Sequence, residues 1–182
     1  MSTALIVIDV QESFRQQPAW ADISDPHIAE RVAALVDHAR GRGDEVVWIL
    51  HAEPGSGGPF DPDKGLVTLQ PGLEPRKGEP ILLKTSHNAF TTTGLQQLLV
   101  RRGVTSVRLA GIRTEQCVET TARLASDLGY DVELVIDATA THPLALHDGT
   151  GVLAAQDVIA RTAAALSGRF ARIVRAADVM AS

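Results

Sequence analysis

The sequence predicts an α/β fold, a parallel sheet of six strands connected by helices. Two patterns carry this expectation. Short, uninterrupted apolar runs recur along the chain, as strands buried on both faces require. Between most of them lie longer segments with apolar residues at helical spacing, and strand–helix–strand units of that kind close right-handed into a parallel sheet. The chain has 182 residues, 45% of them hydrophobic and 21% charged, which suits one globular domain over 1–182.

Residues 4–8 (Ala-Leu-Ile-Val-Ile) form the first strand. A helix over about 26–42 follows, with Ile28, Val32, Leu35, Val36 and Ala39 on one side and Gly41 and Gly43 ending it. Residues 45–50 make the second strand and 81–84 the third. A helix is expected over 91–102, a fourth strand over 105–110, and a helix over 114–128 closed by Gly129. Residues 131–136 form the fifth strand, 147–166 a helix, and 171–174 the last strand. The exception is 52–80, rich in Pro and Gly (Glu53-Pro-Gly-Ser-Gly-Gly-Pro59, Gln70-Pro-Gly72). It is too short for a second domain and long for a plain connection, so it is expected to cover the site.

Composition excludes several functions. The net charge is −5 and no Lys/Arg run occurs, so no nucleic-acid partner is expected. A single cysteine cannot close an intramolecular disulfide, which points to a reducing compartment. The start, Met1-Ser-Thr-Ala-Leu-Ile-Val-Ile-Asp9, lacks the basic region and cleavage site of a signal peptide, and no apolar stretch is long enough for a membrane span. A cytoplasmic protein with no membrane partner is the expectation. No Gly-x-Gly-x-x-Gly lies between the first strand and its helix, and Gly55-Ser-Gly-Gly58 has the wrong place and spacing, which counts against dinucleotide binding.

The chemistry gathers at strand ends. In open parallel sheets ligands bind beyond the carboxyl ends of the strands. Asp9 ends the first strand, Lys84 the third, and Cys117 follows the fourth by a tight turn. A lone cysteine is ordinarily a small buried hydrophobe. Here an acid, an amine and a thiol emerge at one edge, and together they suit nucleophilic catalysis. Thr114 as N-cap and Glu115 in the first turn would place Cys117 at a helix N-terminus, which, with Lys84, favours a low-pKa thiolate. Asp9 can take the thiol proton and return it to a leaving amine. Backbone N–H groups in the 112–117 turn could hold an oxyanion.

Three stretches carry a family likeness: Ile6-Val-Ile-Asp-Val-Gln11 with Phe14, Leu83-Lys-Thr-Ser-His-Asn-Ala-Phe90 with Thr93 and Leu95, and Gly111-Ile-Arg-Thr-Glu-Gln-Cys-Val-Glu-Thr-Thr-Ala122. In this order and spacing, continued through Leu128-Gly-Tyr-Asp131 and Ile136-Asp-Ala138, the chain resembles the isochorismatase-like cysteine hydrolases. The resemblance implies a Rossmann-like three-layer α/β/α sandwich with a mainly parallel six-stranded sheet. It implies a triad of Asp9, Lys84 and Cys117, a cis peptide between Ile112 and Arg113, and an oxyanion hole from the Arg113 and Cys117 N–H groups. It also implies a homodimer or larger homo-oligomer.

Within that family, nicotinamidases resemble one another in an Asp-x-His-x-x-His metal segment. Here the region reads His51-Ala-Glu53, one His and no second at ligand spacing, so neither a metal nor another cofactor is expected. The complete triad points to C–N hydrolysis of a small carboxamide or ureido compound through a thioester. Vinyl-ether hydrolysis and a non-catalytic ligand-binding role are the alternatives. Phe14, Trp20, His51, His87, Phe90 and His142 are candidate substrate contacts, and Arg113, if it reached the pocket, would favour a carboxylate-bearing amide.

Overall fold

The computed structural model describes residues 2–181. Six strands lie in one sheet: β1 (Ser2–Ile8), β2 (Glu45–His51), β3 (Ile81–Lys84), β4 (Val104–Ile112), β5 (Asp131–Ala140) and, after the short hairpin strands β6 (Leu144–Ala145) and β7 (Val152–Leu153), β8 (Arg172–Val174). Their order is β3-β2-β1-β4-β5-β8, and every neighbouring pair is parallel. The chain runs outward from β1 through β2 to β3, then returns to place β4 on the other side of β1. The strand order therefore reverses between β1 and β4, where an open parallel sheet leaves a crevice.

The apolar runs are continuous because the sheet is covered on both faces. Alternate residues of β1 serve two different cores. Ala4, Ile6 and Ile8 face α3 (Leu95–Arg101) and α4 (Glu119–Asp127), packing with Leu95, Leu99, Ala122 and Ala125. Leu5 and Val7 face α2 (Ile28–Arg42), packing with Ile28, Val32, Leu35 and Val36, together with Val179 of the C-terminal α6 (Ala176–Met180). A short α1 (Glu12–Arg15) follows β1, and α5 (Ala155–Leu166) precedes β8. The architecture is the parallel sheet that the strand pattern implies, in the α/β/α sandwich that the resemblance implies. Among the described residues no helix is long and apolar enough to cross a membrane.

Three boundaries differ from the periodicity reading, each for a local reason. The helix expected over 147–166 begins at Ala155, because 144–153 is an antiparallel hairpin. Asp148 Oδ1 accepts from both the amide and the hydroxyl of Thr150, and Gly149 takes a left-handed φ of 73°, so turn chemistry overrides helical spacing. The helix expected from Thr91 begins at Leu95, since Asn88 Oδ1 caps the Phe90 and Thr91 amides and Thr93 bonds back to Ala89. Finally, β5 runs to Ala140 rather than ending near residue 136; after a register shift, Thr139 and Ala140 pair with Gly111 and Ile112.

The segment 52–80 is stitched to the stretch that follows β1. Gln70 N–H donates to Val10 O at 3.1 Å, Glu12 N–H to Thr68 O at 2.8 Å, and the Ser13 hydroxyl to Leu66 O at 2.8 Å. Gln70 Nε2 adds a bond to Gln11 O at 3.3 Å.

Candidate active site

Each polar group at the crevice is placed by its backbone. Asp9 leaves β1 with a φ of 53°, and its N–H donates to Ile49 O on β2 at 2.9 Å. That left-handed conformation is uncommon outside Gly but open to Asp. Across the crevice Gly111 makes the approach possible. Its φ is 131°, and a Cβ there would sit 1.9 Å from Ile8 O.

Cys117 lies in a π turn, Thr114–Val118, that opens α4. Thr114 is not the N-cap; Arg113 holds that position, with no side-chain cap. The Thr114 hydroxyl instead donates across to Thr139 Oγ1 at 2.9 Å, binding the turn to β5. Gln116 and Val118 N–H groups both donate to Arg113 O, and the Arg113 and Cys117 N–H groups take no part in those bonds. The Ile112–Arg113 peptide is cis. Thr121 contributes a link that sequence reasoning missed: its hydroxyl donates to Cys117 O at 2.6 Å and accepts from Ala89 N–H at 3.1 Å. One side chain thus ties the cysteine turn to the loop after Lys84.

The structure brings Asp9, Lys84 and Cys117 together, all buried. Lys84 Nζ stands 2.8 Å from Asp9 Oδ2, an ion-pair contact lacking hydrogen-bond alignment, and donates to Cys117 Sγ at 3.3 Å. The strands that carry them are not all neighbours. Because β2 lies between β1 and β3, the amine must reach past the end of β2, where His51 sits.

Electrostatics revise one expectation. Burial pushes the Cys117 thiol up to about 12; the Asp9 charge adds to this, and Lys84 pulls the other way without prevailing. A helix-start position alone suggests a thiolate, but desolvation of a thiol with a carboxylate at its side outweighs it. Burial likewise raises the Asp9 carboxyl above its ordinary range, against the pull of Lys84. The free site therefore holds a protonated thiol, and attack requires the proton to leave as the carbon–sulfur bond forms. Alkylation of Cys117 by iodoacetamide should keep accelerating past pH 10, against a free thiol levelling above about 8.5. A plateau at or below the free-thiol value would overturn this.

The proposed pocket residues scatter. Phe14 is buried, edge-on to Phe60 with ring centroids 4.9 Å apart, and Trp20 packs at the rim of the same core. Phe90 is buried in the opposite core, stacked with Tyr130 at 6.1 Å, and His87 is exposed on the loop after β3. His142, just beyond β5, is buried, and burial, with Arg113 beside it, depresses its pKa. The Arg113 guanidinium is neither free nor fully solvated: Nη2 pairs with Glu115 Oε1 at 3.2 Å, while Glu115 Oε2 accepts from Thr141 at 2.5 Å. Sequence reasoning also missed Gln11, whose amide grips the end of β2. It accepts from His51 N–H at 2.7 Å and donates to His51 O at 3.0 Å. Its place two residues after a strand-end Asp, inside the stretch that carries the family likeness, is the signal the sequence offers for it, and in the structure it is buried.

Comparison with known proteins shows which chains this one resembles. The family model described as an isochorismatase domain matches residues 3–165. The chain is 35% identical over 169 residues to a streptothricin hydrolase of Streptomyces noursei, covering 92% of this chain and 57% of that protein. It is 29% identical over 187 residues to a ureidoacrylate amidohydrolase of Methylorubrum extorquens, covering 81% of this chain and 74% of the other. The crystal structure of a cysteine hydrolase from Pseudomonas syringae pv. phaseolicola superposes with a TM-score of 0.83 at 26% identity, covering 98% and 91% of the two chains.

Proposed function

The chain belongs to the isochorismatase family and is a hydrolase of that family, and from this premise we propose that it cleaves a C–N bond of a small carboxamide or ureido compound through a thioester on Cys117. The observation that carries the proposal is the buried contact of one ammonium with both a carboxylate and a thiol, Lys84 Nζ with Asp9 Oδ2 and Cys117 Sγ. The amidohydrolase and cysteine hydrolase relatives support the same chemistry.

In this reading Asp9 takes the thiol proton as Cys117 Sγ attacks the carbonyl carbon. The raised carboxyl pKa narrows the gap between donor and acceptor, which favours the transfer. Lys84 compensates the carboxylate charge before the transfer and the partial charge on sulfur during it, without giving up a proton, and the negative charge ends on the carbonyl oxygen of the substrate. The Arg113 and Cys117 N–H groups are the donors assigned to the tetrahedral oxyanion. Asp9 then protonates the departing amine, and later deprotonates the water that opens the thioester, returning that proton to sulfur.

A panel of small carboxamides, ureido acids and nicotinamide, read by ammonia release and by intact mass, tests this. The expected result is turnover of one class with a transient acyl adduct on the peptide containing Cys117. Turnover that survives Cys117→Ala would sink the proposal.

A further inference from the structure

Lys84 Nζ pairs with Asp9 Oδ2 at 2.8 Å and has three partners in hydrogen-bond geometry. They are Ser86 O at 3.1 Å, Cys117 Sγ at 3.3 Å and His51 Nδ1 at 3.4 Å. An ammonium offers three protons and no lone pair. Two consequences follow from that count. His51 Nδ1 must be the unprotonated ring nitrogen, since it faces a donor. And three acceptors meet three protons, so each acceptor that holds one fixes where the others can go.

The other ring nitrogen is fixed as well. Nε2 lies 3.3 Å from Glu53 Oε1, which can only accept, so Nε2 carries the hydrogen. The ring stands edge-on to Phe60 at 5.5 Å between centroids, and the Gln11 amide holds the residue's backbone by both N–H and C=O. This is more fixing than the end of a strand requires. Among the described residues no three His, Cys, Asp or Glu side chains gather to hold a metal ion, so the ring is not explained as part of such a site.

We propose that His51 is a positioning residue for Lys84: its Nδ1 keeps one ammonium proton, so that a single N–H stays directed at Cys117 Sγ, and its bond to Glu53 locks the tautomer able to do so. The proposal rests on the reading of Cys117 as nucleophile. While the thiol is free, sulfur and imidazole share the lysine between them. When sulfur is acylated it becomes a poorer acceptor, and Nδ1 retains the ammonium beside the thioester until water restores the thiol. No covalent bond to the lysine or the histidine is made or broken.

The charged groups facing the ring are Lys84 from β3, Asp9 from the segment after β1, and Glu53 beyond β2. Burial and then the Lys84 charge push the imidazole below its ordinary value of 6.5, against Asp9 and Glu53. A proton added at Nδ1 would face an ammonium, so the arrangement holds above the imidazole pKa and is lost as pH falls through it.

Nitrogen-15 spectra of the His51 ring in the intact protein should show the Nε2–H form, titrating below 6.5. In Lys84→Met the midpoint should rise. With the amide substrate identified by the panel, His51→Leu should lower kcat roughly 10- to 100-fold, the size of a hydrogen bond to a charged group, with little change in KM. His51→Asn, whose side-chain oxygen can stand in for Nδ1, should recover most of that loss. An Nδ1–H spectrum overturns the proposal, as does His51→Leu with a wild-type kcat. If the wild-type protein turns over nothing in the panel, the nucleophile reading fails by itself, and the tautomer and Lys84→Met titration decide whether His51 holds the lysine.

Discussion

Gly111→Ala is expected to cost roughly 4 kcal/mol of stability or more, and to remove the activity of whatever protein still folds. Two independent penalties combine. The residue has a φ of 131°, a conformation that a side chain strains, and the added methyl would stand 1.9 Å from Ile8 O, with Ile8 C and N within 2.9 Å. These atoms are backbone in the central strand, paired to β2 on one side and β4 on the other, so no rotamer change relieves the overlap. The only escape is to separate β1 from β4, which shifts Ile8 and with it Asp9. Urea denaturation checks the first part; a Gly111→Ala midpoint close to wild type would contradict the packing described above.

Cys117→Ala should produce the opposite combination, a folded protein with turnover reduced by roughly four orders of magnitude or more, as removal of a nucleophile does elsewhere. Stability is preserved because the lysine is not stranded. Without sulfur, Lys84 retains its ion pair with Asp9 and its hydrogen bonds to Ser86 O and His51. The unfolding free energy from urea denaturation should therefore change by about 1 kcal/mol at most. Lys84→Ala lacks that protection. It leaves the Asp9 charge buried with no compensating cation, a defect worth about 3–5 kcal/mol. Measuring kcat and the urea midpoint on the same samples separates loss of chemistry from loss of fold.

Much of this was legible in the chain. The strands β1, β2 and β4 announce themselves as apolar runs, because a strand covered on both faces has no polar side to present. The strand-end rule then brings Asp9, Lys84 and Cys117 to one crevice without knowledge of strand order. What escaped depends on neighbours remote in sequence. That β2 separates the aspartate strand from the lysine strand follows from the sheet order, and this alone turns His51 from a candidate substrate contact into a partner of Lys84. The thiol's raised pKa is likewise set by burial among distant elements, whereas sequence offers only its place near a helix start. Thr121 through Ala89 N–H and Gln11 through the His51 backbone work on residues remote in sequence, which no local pattern encodes. Phe90 and His87 show the reverse: near Lys84 in sequence, one is sunk in the core and the other lies on the surface.

The stitching of 52–80 to Val10–Ser13 has a practical meaning for redesign. A segment of that length beside a reactive crevice invites transplantation from a relative to change what the protein accepts. Here its bonds end on the very residues that follow Asp9, and Gln11 belongs both to those bonds and to the grip on His51. The two stretches form one exchangeable cassette. A graft of 52–80 alone would arrive with its donors and acceptors mismatched to residues 10–13, and would disturb the machinery it was meant to leave untouched.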